Sequence, residues 1–120
     1  MHKTKRVVIT GLGVVSPIGN SIEAFWKAIL EGKSGVKRLS CFDPEHFTCK
    51  IAAEVKDFNP SQYLSPKEVK RMDRFVQFAV VSAKMAMIDS KLDMTNEDPT
   101  RIGVMIGSGI GGLHSVETEH

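Results

Sequence analysis

No stretch of this sequence approaches the roughly 18 consecutive apolar residues of a membrane-spanning helix. Its start, MHKTKRVVITGLG, is basic but lacks the apolar centre of a secretory signal. Cysteine is scarce. Cys41 and Cys49 are too few for a disulfide framework, and their separation fits neither a C-x-x-C redox pair nor a zinc site. Neither begins a visible helix, the setting that lowers a thiol pKa, so both read as free structural thiols. The histidines His2, His46, His114 and His120 show no i, i+4 spacing on a helix, which argues against a metal site. Charge of one sign is not in large excess: the net charge of +2 does not by itself argue for nucleic acid, and any electrostatic role depends on clustering. Repeats and low-complexity segments are missing. A hydrophobic fraction of 42% and a charged fraction of 25% over 120 residues describe a soluble globular chain with room for one small domain, expected in the cytoplasm.

Hydrophobic patterning gives the element order. Residues 6–10 form a β-branched run closed by Gly11-Leu12-Gly13, which predicts a strand buried on both faces. Asn20-Ser21-Ile22-Glu23 offers an Asn cap with Glu three positions on, and Phe25, Trp26, Ile29 and Leu30 supply an apolar helical stripe ending at Gly32. Residues 49–55 alternate with period two and predict a half-exposed strand. Ser65-Pro66-Lys67-Glu68 is a strong helix start, and apolar residues from Val69 to Met87 recur at helical spacing without glycine or proline, predicting one long helix over 66–90. Residues 101–106 read as a second buried strand entering Gly107-Ser108-Gly109-Ile110-Gly111-Gly112, with a helix beyond. This order suits an α/β fold with parallel strands in one sheet flanked by helices.

Two places could carry chemistry. Gly107, Gly109 and Gly112 satisfy G-x-G-x-x-G, but a dinucleotide site also needs an acidic residue about 20 positions on, and the loop comes late in the chain. Within the loop, Ile110 needs either a core partner or a place in the wall of an apolar ligand pocket. On the long helix, Lys67, Lys70, Arg71 and Arg74 stand at i, i+3, i+4 and i+7, a single basic stripe at about 100° per residue. Such a stripe is ordinarily a solvated face, and its alternative is a docking surface for an acidic partner.

Taken together, residues 6–19 (RVVITGLGVVSPIG), Lys67-Glu68 with Arg71-Met72-Asp73-Arg74-Phe75, and Ile106-Gly107-Ser108-Gly109-Ile110-Gly111-Gly112 resemble the elongating β-ketoacyl-[acyl carrier protein] synthases, in that family's order and spacing. The resemblance covers essentially the whole chain. It implies a thiolase-like layered αβαβα fold, of which residues 1–120 would be part of the first half, in a cytoplasmic homodimer. It also implies decarboxylative condensation of an acyl thioester with malonyl carrier protein, without a bound organic cofactor, metal, nucleic acid or membrane partner. The family's nucleophilic cysteine and two assisting histidines match no residue up to His120, so no catalytic residue is expected in this chain and the 120 residues alone are expected to be inactive. The resemblance places Lys67, Lys70 and Arg71, with Arg74 on the same stripe, where acyl carrier protein docks. It places Ile110 in the acyl pocket near the dimer interface. A non-enzymatic module that binds an acidic partner, or a fragment of a nucleotide-binding oxidoreductase, are the competing readings.

Overall fold

In the first helix, Ser21 rather than Asn20 is the cap. Its hydroxyl accepts from the Ala24 amide at 3.2 Å and opens α1 (Ile22–Leu30). The Asn20 side-chain amide instead donates to the Lys56 and Asp57 carbonyls at 3.3 and 3.5 Å, pinning the helix start to a distant loop. Gly32 ends the helix in the left-handed region, φ 64°, where glycine carries no Cβ penalty. This computed structural model describes residues 4–120, so Met1, His2 and Lys3 lie outside the described residues.

The alternating segment at 49–55 yields a short strand, β2 (Ile51–Ala53), antiparallel to β1 (Val36–Arg38) with Val36 opposite Ala53. The hairpin extends one pair further through the Leu39 amide and the Lys50 carbonyl, 2.9 Å. It forms the one sheet among the described residues, so the expected parallel sheet is not built by them. Residues 6–10 and 101–106 form no strand. Val7, Ile9, Val104 and Met105 are exposed, and a 3-10 turn occupies Pro99–Arg101. The reason is physical: a strand exists through its ladder partners, and a β-branched run with none among the described residues has the composition of a strand without its hydrogen bonds.

The long helix is also corrected. The capping box forms as expected, with the Ser65 hydroxyl accepting from the Glu68 amide and the Glu68 carboxylate accepting from the Ser65 amide, but α2 (Pro66–Arg71) lasts six residues. Met72 turns extended (φ −112°, ψ 130°), Asp73 follows, and α3 (Arg74–Ser90) starts in a new direction. What holds the break is Gln77, a buried polar residue whose amide donates to the Val69 and Met72 carbonyls at 3.2 and 2.8 Å. These carbonyls lie at the C-terminal end of α2, where helical partners run out.

Packing centres on α3 and includes buried Val81, Leu64 and Ala28. The segment through Gly11 and Gly13 lies directly on α3. A Cβ on Gly13 would run into the Ser82 carbonyl, one on Gly11 into that of Ala86, and the Leu12 amide donates to the Asp89 carboxylate at 2.9 Å. The helix expected past the second glycine loop is present as α4 (Leu113–Glu119).

Candidate functional site: a basic helix and the glycine loop

On α2 the one carboxylate, Glu68, is committed to the helix start. It accepts from both the hydroxyl and the amide of Ser65, and these hydrogen bonds hold its carboxyl below the usual range. Lys67, Lys70 and Arg71 are exposed and form no ion pair among the described residues. At three- and four-residue spacing they share one face, presenting net positive charge that Glu68 does not neutralise. Arg74 departs from this group. It lies past the break, so the helical wheel that aligned it with the others does not apply. Its guanidinium sits 4.9 Å from the Phe58 ring centroid and 5.1 Å from that of Phe78, over two rings packed edge to face, and donates to the Val55 carbonyl at 3.4 Å.

The joint between α2 and α3 meets the glycine loop. Asp73 does not cap α3 with its side chain; its carboxylate accepts from the Ser115 hydroxyl on α4. Gly112 packs so closely against this carboxylate that a Cβ there would collide with it. Gly111 has φ 80°, and its amide donates to the Ser108 hydroxyl at 3.1 Å, closing the turn. The front of the loop is open by contrast: Gly107 and Gly109 have no neighbour within 4 Å of an added Cβ, and Ile110 is 83% exposed. Ile110 is therefore not packed into a core among the described residues. No strand enters the loop, so the strand–glycine–helix context that a dinucleotide fingerprint requires is not met.

The Cys41 thiol is not activated. Glu54 accepts from the Ser40 hydroxyl and from the Ser40 and Cys41 amides at 2.7, 3.1 and 2.9 Å, which pulls its carboxyl down to about 2. A hydrogen bond to that carboxylate pushes the Cys41 thiol up, the reverse of what a nucleophile needs. Cys49 donates to the Ile51 carbonyl at 3.5 Å. The residues that sequence reasoning missed are Asp73, Gln77 and Ser115. Asp73 carried a faint signal as a favoured N-cap residue inside a helical pattern, whereas Gln77 and Ser115 carried none.

The fold is that of the thiolase-like condensing enzymes, of which these residues form part of the first half. The chain belongs to the β-ketoacyl synthase family: residues 4–120 match the description "Beta-ketoacyl synthase, N-terminal domain". Among curated relatives, "3-oxoacyl-[acyl-carrier-protein] synthase 2" of Coxiella burnetii is 51% identical over 116 residues, covering 97% of this chain and 28% of the relative. The protein of the same name from Vibrio harveyi is 46% identical, with the same coverage. Of solved structures, the ketosynthase in "AntDE:AntF (apo): type II PKS acyl-carrier protein in complex with its ketosynthase bound to the hexaketide" is similar with a TM-score of 0.71 at 25% identity, over 94% of this chain and 29% of that one. The chain thus spans less than a third of the length of these relatives.

Proposed function

We propose that the whole protein is an elongating β-ketoacyl-[acyl carrier protein] synthase. It joins an acyl group held as a thioester to malonyl carrier protein, releases carbon dioxide and lengthens the acyl chain by two carbons. The observation that carries this reading is the unneutralised basic face of α2, standing at the joint on which the glycine loop rests. Lys67, Lys70 and Arg71 are the contacts for an acidic carrier protein, and the related ketosynthase solved with its acyl-carrier protein supports that class of partner. Arg74, held over Phe58 and Phe78, acts mainly by fixing the start of α3 beside those contacts. Ile110 forms part of the wall that the acyl chain meets. The reading includes a cytoplasmic homodimer. It does not place the acyl thioester on Cys41 or Cys49, since neither stands at the start of a helix and the Glu54 carboxylate beside Cys41 pushes that thiol up.

The test is charge reversal of Lys67, Lys70 and Arg71 to Glu in the whole protein. Complementary charge mainly steers encounter, so KM for carrier-bound substrate should rise at low salt. The difference should shrink as added salt cuts the Debye length below about 10 Å. A KM equal to the parent's at low salt would assign the three cations to an ordinary solvated face.

A further inference from the structure

The end of the glycine loop and the end of the basic helix meet at one side chain. Asp73 belongs to the joint that terminates α2, yet its carboxylate holds the Ser115 hydroxyl, 42 positions away on α4, and abuts Gly112. Phe75, two residues on, completes the contact: its ring lies 3.5 Å from where a Cβ of Gly112 would stand and 3.9 Å from that of Gly111. The loop is therefore clamped at Gly111 and Gly112 and free at Gly107 and Gly109, with Ile110 at the boundary between the two parts. On the other side of the joint, Gln77 ties the terminal carbonyls of α2 to α3, so α2 cannot tilt without moving the backbone at Met72 and Asp73. Lys70 and Arg71 are thus linked to the glycine loop through Met72, the Asp73–Ser115 hydrogen bond and the contact of Asp73 with Gly112.

We infer that Asp73 is a positioning residue that couples partner docking on α2 to the placement of Ile110, so that the docked carrier protein itself adjusts which acyl lengths are accepted. This rests on the docking and acyl-wall roles proposed above. In thermodynamic terms it is a coupling between two sites, and both must bias the same contact.

Three variants of the whole protein test it. Asp73→Ala and Ser115→Ala break the contact from opposite sides, and Asp73→Asn keeps an acceptor oxygen for the Ser115 hydroxyl. The readout is length selectivity, the ratio of kcat/KM for a long acyl group to that for hexanoyl. It is measured with the groups on carrier protein and again on pantetheine, which offers no protein surface to α2. In the parent the two selectivities should differ by roughly fivefold or more, the low end of coupling between sites. Both alanine variants should abolish the difference, and Asp73→Asn should restore it. Equal selectivities in the parent overturn the coupling, as does a difference that survives in both alanine variants. So does a common fractional fall in all the rates, which would make Asp73 purely structural. If Asp73→Ala does not fold, Ser115→Ala decides alone. A parent that transfers nothing from carrier protein instead overturns the functional reading of α2, a result visible before any variant is made.

Discussion

The chain carries two glycine loops, opening at Gly11-Leu12-Gly13 and at Gly107-Ser108-Gly109, each preceded by a run rich in β-branched residues, and they occupy opposite physical settings. At Gly11 and Gly13 the backbone lies against α3, where an added Cβ would come within 2.6 Å of the Ser90 amide nitrogen or 2.8 Å of that of Ala86. At Gly107 and Gly109 an added Cβ would meet nothing within 4 Å. The same pattern thus serves close packing in one place and an open loop in the other. What separates them is the facing surface: α3 offers the small residues Ser82, Ala86 and Ser90 one turn apart, and nothing comparable faces the second loop.

The largest effect should follow from filling the packed site. Gly13→Ala places a methyl group against helix backbone that cannot swing aside, and overpacking of this kind costs about 1 to 3 kcal/mol. Gly109→Ala in the open loop should stay within about 0.5 kcal/mol, the range of unremarkable surface changes. Chemical denaturation of the whole protein measures both, and equal costs would break the contrast.

A second effect should belong to the open loop alone. Ile110→Phe should lower transfer of long acyl groups relative to hexanoyl by about tenfold, equivalent to roughly 1.4 kcal/mol of transition-state binding. An equal fractional loss at every length would reduce Ile110 to a packing residue. The contrast between packed and open sharpens further among the cations. Removing the guanidinium in Arg74→Met should lower stability by about 0.5 to 1 kcal/mol, the scale of an exposed cation–π contact, with little change in the salt dependence of carrier use. Lys67→Met should do the reverse, and the two variants exchanging these phenotypes would show that the packed and open cations had been assigned the wrong way round.

The smallest effect lies in the hairpin. Glu54 is held at about 2, below its ordinary 4.5, chiefly by the Ser40 hydroxyl. A depressed carboxylate stabilises the fold fully above its unfolded value, and that contribution is lost as pH falls from about 4.5 toward 2. Glu54→Gln should flatten the stability curve within that window, and a variant curve parallel to the parent's would remove Glu54 as the cause.

Local signals are legible wherever they are self-contained. The Ser65 and Glu68 capping box, the Gly32 stop and the helix after Gly112 follow from neighbours in sequence. The period-two segment at 49–55 reads as a strand, but its partner Val36–Arg38 does not, because Val36-Lys37-Arg38 is too short and too charged to show a period. The break at Met72 is hidden for a different reason. Its cause is the hydrogen bonding of Gln77 back onto α2, and the intervening residues include neither glycine nor proline. Without the break, Arg74 falls on a stripe with Lys67, Lys70 and Arg71, since a helical wheel holds only within one helix. The runs at 6–10 and 101–106 have strand composition, but ladder formation depends on partners that a local pattern does not contain.

Gln77 also sets how α2 comes apart. A helix of six residues is too short to persist by its own cooperativity, and here its last carbonyls are held by a side chain rooted in a seventeen-residue neighbour. Unwinding α2 alone would take the Val69 carbonyl from that buried amide, at a cost of about 0.5 to 1.5 kcal/mol, the scale of one hydrogen bond. The backbone amides of α2 should therefore exchange with solvent deuterium through the opening that exposes the start of α3, as one cooperative unit, rather than through fraying of a short surface turn.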